Sequence, residues 1–453
     1  MKVETPRDLA LRVLNDLSRK PGFSASSLDT LFKSKPYLEE RDRAFISQLV
    51  QGAVRWQARL DWTIRQTSDV SLKKISPPVL NVLRLALYQV FFLSRVPESA
   101  AVNEAVKQAK KRHPPYIVSF VNAVLRKACS KKKQLSFPDR RKNPVEYLSV
   151  FYSYPEWLVR KWIKEWGIEL AEALLEAQNR IPGLTVRSNP LKIDRGDLIY
   201  RLKEEIGIEG KATPYSPQGV RLEDFRGRID RNKAFQGGLF QVQDEAAQVA
   251  SILLSPAAGE TVLDVCAGYG GKTTHLSELM GDRGKVIALD MNRTRLVSLA
   301  RNTVRLGIRS AVAVAADASK PLCSLLRARF DRIVVDAPCS GLGVISRHPD
   351  GKWNKKEEDI PRLAQVQKAI LYSACSMLRR GGTLLYVTCT LSREENEEVV
   401  EACLAGKRDI ALLDFRERAP LWARDLIDDR GFLRTLPHRH HMDGFFGALL
   451  RKE

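Results

Sequence analysis

The sequence predicts a multidomain protein with an N-terminal all-α bundle, a small α+β module and a C-terminal α/β domain built on a parallel sheet. Three observations predict it. A chain of 453 residues exceeds what one hydrophobic core serves. Apolar residues recur at helical spacing through residues 1 to about 130. From about Phe235 onward, short apolar runs alternate with helical stretches, the signature of βαβ units.

In the first region Thr5-Pro6 caps and opens a helix with Leu9, Val13, Leu14 and Leu17 on one face, which Pro21-Gly22 ends. A second helical pattern runs from Glu40 to about Gln66 through Phe45, Leu49 and Val54. Three more helices are expected from Pro77, over Glu98–Lys111 and over Tyr116–Cys129, and their short connections make a compact bundle spanning residues 1–135. The window Pro77 to Leu93 is the most apolar, but it contains Asn81, Arg84 and Gln89 and is too short to span a bilayer. Residues 136–234 form a connector and a small module. An amphipathic stretch runs from Trp157 to Ala177, then come a strand at Leu184–Asn189, a helix at Asp194–Ile206 and a strand at Gly219–Leu222. In the third domain, residues 235–453, strands are expected at Thr261–Val265, Lys285–Leu289, Ala311–Ala315, Arg332–Val335 and Thr383–Val387.

Composition narrows the partners. A formal charge of +21 points to a polyanion, because Lys and Arg gain affinity by releasing phosphate counterions. The clusters Lys107-Lys110-Lys111-Arg112 and Arg126-Lys127 with Lys131-Lys132-Lys133 are candidate RNA contacts, weighed against being a merely solvated face. The seven cysteines form no CxxC pair, and the N-terminus lacks the apolar core of a signal peptide, so a cytoplasmic protein with reduced thiols is expected. His438-Arg-His440-His441 has no supporting Cys or carboxylate cluster, so no metal is expected.

Leu-Asp-Val-Cys-Ala-Gly-Tyr-Gly-Gly-Lys-Thr, residues 263–273, is a glycine-rich turn leaving the first strand of the α/β domain. Asp290 ends the second strand, where a carboxylate can accept both ribose hydroxyls. A dinucleotide fingerprint would need glycine at 273, which is Thr, and a phosphate loop would need glycine at 266, which is Cys. A nucleoside without pyrophosphate fits better, and S-adenosylmethionine is the common one. Asp317, after the third strand, could accept from an adenine amino group.

Two cysteines follow the fourth and fifth strands, Cys339 in DAPCSG and Cys389 in YVTCTL. Ligands and chemistry gather at the carboxyl ends of parallel strands. The ordinary alternative, two cysteines packed as small hydrophobes, is weakened by the polar and glycine-containing sequence around them. Methylation of nitrogen or oxygen needs no covalent intermediate. Methylation of pyrimidine C5 does, because a thiolate added at C6 makes C5 nucleophilic. Asp336 could hold the N3/N4 edge of the base and stabilise the adduct.

At these residues the chain resembles the bacterial ribosomal RNA cytosine-C5 methyltransferases of the Sun/Fmu (RsmB) family, nearly end to end. The resemblance lies in Asp336-Ala-Pro-Cys-Ser-Gly-Leu-Gly343, Arg347-His-Pro-Asp350, Lys352-Trp353, Asp359-Ile360, Gln367, Thr388-Cys-Thr, Glu394-Glu-Asn-Glu397, Asp443-Gly-Phe-Phe446, Gln243-Asp244 and Arg187-Ser-Asn189. Asp42-Arg-Ala-Phe45, Leu49-Val-Gln-Gly52 and Phe120-Val-Asn-Ala-Val-Leu-Arg126 resemble the family's NusB-like RNA-binding domain. The resemblance implies a Rossmann-like class I methyltransferase domain in which Cys389 attacks C6 and Cys339 assists release. It also implies S-adenosylmethionine held by Cys266, Ala267, Gly268, Tyr269, Gly270, Gly271, Lys272, Asp290, Asp317 and Asp336. The expected substrate is small-subunit ribosomal RNA, free or partly assembled, and the expected enzyme is a monomer without membrane attachment. The same chemistry on transfer RNA and a non-catalytic RNA-binding assembly factor stand as alternatives. Two positions depart from the family: Gly268-Tyr269 replaces its usual Ala-Pro, and Thr390 follows Cys389 where Ser is common.

Overall fold

The computed structural model describes residues 4–20, 22–223, 225, 227–324 and 329–453; Pro21, half of the expected stop to the first helix, lies outside the described residues. The chain divides into two compact units, Met1–Arg180 with Ile345–Glu357, and Ile181–Val344 with Glu358–Glu453.

The first unit is helical: α1 (Pro6–Arg19), α2 (Ser24–Ser34), α3 (Glu40–Arg55), α4 (Gln57–Thr67), α5 (Pro77–Phe92), α6 (Glu98–Lys110), α7 (Pro115–Ser130), α8 (Pro144–Tyr152) and α9 (Glu156–Asn179). Thr5 caps α1 as expected, with the Asp8 amide donating to its hydroxyl and its own amide donating to the Asp8 carboxylate. The stretch from Glu40 to Gln66 is two helices rather than one pattern. Trp56 leaves helical geometry between them (φ −104°, ψ 18°), and its ring stacks on Phe92 at 4.6 Å. Helix α2 is an addition to the expected set, since it carries neither a side-chain cap nor a long apolar face. Leu9, Ile46, Leu49, Leu83, Leu87 and Leu125 are among the core residues here with no exposed surface. Residues 136–180, the expected connector, group with this helical unit.

Residues 345–357, which include the short α15 (Gly351–Asn354), complete the same unit. Lys352 is fully buried, donating to the Arg55 carbonyl (2.9 Å) and Asn179 Oδ1 (3.3 Å), with its Nζ 3.8 Å from the Tyr154 ring centroid. Trp353 Nε1 donates to the Val54 carbonyl at 2.8 Å, and the Ser24 hydroxyl donates to Asp350 at 2.5 Å.

The second unit begins with a four-stranded antiparallel sheet, ordered β2-β3-β1-β4, of β1 (Leu184–Ser188), β2 (Gly210–Ala212), β3 (Gly219–Leu222) and β4 (Phe240–Val242). Helix α10 (Arg195–Ile206) lies between β1 and β2 in the chain. Because β4 pairs with β1, this module runs past residue 234, its expected end. The short helix α11 (Lys233–Gln236) and then α12 (Glu245–Leu254) flank β4 in the chain.

A larger sheet follows: β5 (Thr261–Val265), β6 (Lys285–Asp290), β7 (Ala311–Ala315), β8 (Phe330–Asp336), β9 (Leu378–Thr388), β10 (Ile410–Leu413), β11 (Leu433–Thr435) and β12 (Phe445–Lys452). Its order is β10-β12-β9-β8-β5-β6-β7, with β11 pairing β12. Strands β7, β6, β5, β8 and β9 are parallel, as the βαβ pattern required. The sheet is nevertheless mixed, because β12 inserts antiparallel between β9 and β10. Helices α13 (Gly271–Leu279), α14 (Arg293–Leu306), α16 (Asp359–Met377) and α17 (Glu397–Gly406) cover the sheet's apolar side chains.

Candidate active site

The glycine turn leaves β5 and enters α13. Cys266 (φ 64°), Gly268 (φ 57°) and Gly270 (φ 83°) all have left-handed backbone, which a tight strand-to-helix turn requires. A Cβ on Gly270 would also lie 2.6 Å from Leu299 Cγ of α14, so no other residue fits there. The Gly268 amide donates to Asp290 Oδ2 (2.8 Å) and the Asn292 amide to Oδ1 (2.7 Å). Asp290 therefore holds the turn in place and still has lone pairs for ligand hydroxyls. The Ala316 amide donates to the Asp290 carbonyl, which sets Asp317 beside that strand end. Asp317 accepts from the amide and hydroxyl of Ser319, and these donors hold its carboxyl below the usual range. Burial pushes the Cys266 thiol up, so this cysteine contributes backbone rather than a thiolate. Tyr269 is 65% exposed, with the Arg295 guanidinium 5.9 Å from its ring centroid. Lys272 Nζ donates to Asp336 Oδ2 at 2.7 Å, joining the turn to the end of β8.

The two thiols meet. Cys339 Sγ and Cys389 Sγ are 3.3 Å apart, at the carboxyl ends of neighbouring strands β8 and β9. The Ala337 amide donates to the Val387 carbonyl and the Gly343 amide to the Cys389 carbonyl, so the two loops are stitched on both sides of the sulfur pair. A Cβ on Gly343 would stand 2.0 Å from the Gly444 carbonyl oxygen, so the approach depends on glycine. The hydrogen bond to Cys389, and then burial, push the Cys339 thiol well above its ordinary range.

Beneath the thiols is a carboxylate that nothing within its sequence motif singles out. Glu395 Oε1 accepts from the Ser340 amide (2.8 Å) and Gln367 Nε2 (3.0 Å), and Oε2 from the Ser340 hydroxyl (2.5 Å) and the Thr390 hydroxyl (3.3 Å). The Ser340 and Thr390 hydroxyls are 2.7 Å apart, so the hydroxyl that Thr390 shares with the family's serine is in use. Asn396 Nδ2 donates to the Thr390 carbonyl and its Oδ1 accepts from Thr388.

Two further polar groups sit behind the turn. Arg187 of β1 and Glu278 of α13 are both fully buried and form a bidentate pair (2.9 and 3.0 Å). Arg187 also donates to Thr274 Oγ1, the Gly271 carbonyl and Gln243, which uses its five N–H groups. Asp264 of β5 accepts from Thr273 Oγ1 at 2.5 Å, and burial pushes its carboxyl up to about 7.

The basic clusters of the first unit are only partly free. Lys107, Lys111, Lys127 and Lys132 pair with Glu104, Asp8, Asp69 and Glu98. Lys132 also donates to the Val90 carbonyl. Lys110, Arg112, Arg126, Lys131 and Lys133 are exposed and have no ion-pair partner among the described residues. His440 accepts the Leu436 amide on Nδ1 and packs edge-on to Tyr215, and burial lowers its pKa to about 4, so it is a neutral packing residue. No described helix is long and apolar enough to cross a membrane.

The strand order, the antiparallel β12 and the glycine turn at the end of central β5 define a Rossmann-like methyltransferase domain. A family model described as 16S rRNA methyltransferase RsmB/F matches residues 251–451, NusB family residues 4–130, and the RsmF/B-like ferredoxin-like domain residues 154–227. The chain is 37% identical over the whole of both chains to the probable ribosomal RNA small subunit methyltransferase B of Bacillus subtilis. It is 33% identical to ribosomal RNA small subunit methyltransferase B of an Escherichia coli strain, with 92% of each chain covered. Among solved structures, PH0851 superposes over 100% of both chains with a TM-score of 0.81 and 28% identity. The chain belongs to the RsmB/F family of 16S rRNA methyltransferases.

Proposed function

We propose that this protein methylates cytosine C5 in small-subunit ribosomal RNA, using S-adenosylmethionine, with Cys389 as nucleophile and Cys339 as the thiol that assists release. The observation that carries this reading is the 3.3 Å sulfur pair on adjacent strand ends, next to an Asp336 tied to the glycine turn through Lys272. Nitrogen or oxygen methylation has no use for such a pair.

The turn suits the cofactor. It offers backbone with no side chain at Gly268, Gly270 and Gly271, an anchored carboxylate at Asp290 for a ribose, and Asp317 one strand further. Bound S-adenosylmethionine supplies an electrophilic methyl group. The Cys389 thiolate bonds C6, the C5=C6 electron pair moves to the N3/N4 edge, N3 takes up a proton, and the Asp336 carboxylate accepts hydrogen bonds from the N3–H and N4–H of this protonated adduct; N3 gives the proton back when C5=C6 re-forms. After methyl transfer the C5 proton leaves to water at this partly exposed site. Its electron pair re-forms C5=C6, and the C6–S bond breaks onto Cys389. The protonated Cys339, within hydrogen-bonding distance, stabilises that departing sulfur.

Incubation of the Cys389→Ala and Cys339→Ala variants with unmodified rRNA and S-adenosylmethionine tests the assignment. Cys389→Ala should give neither 5-methylcytosine nor adduct. Cys339→Ala should methylate and then stall as an RNA–protein band that survives denaturing electrophoresis. Adduct in Cys389→Ala alone would reverse the roles, and full methylation without adduct in both would remove the covalent mechanism.

A further inference from the structure

The residues that follow the two thiols, Ser340 and Thr390, converge on one buried carboxylate. Ser340 has a single hydroxyl proton, and its short 2.5 Å contact assigns that proton to Glu395. Thr390, 2.7 Å from the Ser340 hydroxyl and 3.3 Å from Glu395 Oε2, shares its one proton between the two oxygens. The result is a chain from the nucleophile loop through the Pro-Cys loop to Glu395. The other carboxylate oxygen takes the Ser340 amide and Gln367 Nε2, and Gln367 also donates to the Pro338 carbonyl, on the far side of Cys339. Glu395 therefore grips the Cys339 loop before and after the thiol and the Cys389 loop after its own. Tyr386 OH donates to the Glu395 carbonyl, which ties this residue to β9 itself.

A carboxylate with four donors and no exposed surface is costly to bury, since burial alone pushes it toward its neutral form. A packing role could be filled by an apolar residue at no such cost. What an apolar residue could not do is accept from both loops at once.

We infer that Glu395 is a positioning residue that fixes the spacing of the Cys339 and Cys389 thiols, and that it acts mainly on the release step. This rests on the covalent reading above. Nucleophilic attack requires only Cys389, whereas resolution of the adduct requires Cys339 at hydrogen-bonding distance from the leaving sulfur. Loss of the clamp should therefore separate the two steps.

The full chain, with rRNA and S-adenosylmethionine, is used to time adduct formation and RNA release separately. In Glu395→Gln an amide N–H₂ replaces one acceptor oxygen and faces a donor. Adduct should form at close to the wild-type rate, while release slows about ten- to a hundredfold, the range for losing hydrogen bonds to a charged group, with S-adenosylmethionine affinity unchanged. Ser340→Ala, which removes one hydroxyl, should show the same split more mildly, and Thr390→Ser should behave as wild type. Release at the wild-type rate in both Glu395→Gln and Ser340→Ala overturns the inference. If Glu395→Gln fails to bind S-adenosylmethionine, Ser340→Ala decides alone: slowed release supports the clamp and unchanged release refutes it. A wild-type protein giving neither adduct nor 5-methylcytosine would instead refute the covalent reading, which distinguishes the two failures.

Discussion

Replacing Arg187 with Met should be the most destabilising single change in the second unit outside its apolar core. The side chain and its partner Glu278 have no exposed surface, and five acceptors surround the guanidinium. Removal leaves a buried carboxylate without its counter-charge, which costs about 3–5 kcal/mol. For a unit of this size that corresponds to an apparent Tm lowered by roughly 6–20 °C. The deficit should depend on pH. Burial already raises the Glu278 carboxyl against the pull of Arg187, and without the arginine it rises further. A carboxyl raised in the folded state binds a proton that the unfolded chain releases, so stability falls as pH climbs through the folded value. Melting at about pH 5 and about pH 8 should show the larger loss at the higher pH. The double variant Arg187→Met with Glu278→Leu should recover most of the loss, since an apolar pair has no charge to strand. A single variant that loses less than about 1 kcal/mol, or a double variant no better than the single, would refute the reasoning.

Asp290→Ala should weaken S-adenosylmethionine binding by calorimetry about ten- to a hundredfold with rRNA affinity unchanged, because it removes both the proposed ribose acceptor and the anchor of Gly268. Asp290→Asn keeps an acceptor and should weaken binding less. Neutralising Lys110, Arg112, Lys131 and Lys133 should flatten the slope of log affinity against log salt by roughly one unit for each phosphate no longer neutralised, whereas Lys132→Met should mainly lower stability, because that lysine is committed to Glu98 and the Val90 carbonyl. An unchanged slope in the first variant would mean those charges are only solvated.

Most of the fold is legible in periodicity. The βαβ strands stand out as apolar runs, largely buried in β5, β6, β8 and β9 and exposed in the edge strand β7, and α5 and α7 as long apolar helices with proline starts. Strand β12 does not stand out, because its pairing partners lie far away in the chain and antiparallel insertion leaves no local mark. Strands β2 and β4, three residues each, are too short to carry a period. The break at Trp56 is set by stacking on Phe92, a ring from another helix that no window on α3 contains. At the site, residue type announces the thiols and the glycine turn. Glu395 and Arg187 are hidden for the opposite reason: their partners are dispersed along the chain, and a buried charge looks in sequence like any surface one.

The position of β12 carries a consequence for synthesis. Residues Phe446 to Arg451 pair with Thr388 to Thr383, so the strand that ends at Cys389 lacks one neighbour until the last of them has emerged. At about 5–20 residues per second, the 63 residues between 388 and 451 take roughly 3–13 s to translate. Throughout that interval the apolar edge Leu384-Leu385-Tyr386-Val387 is an unpaired template on the nascent chain. The strand that leads into Cys389 therefore keeps an unpaired apolar edge through the last seconds of synthesis, which is where a holding chaperone would act.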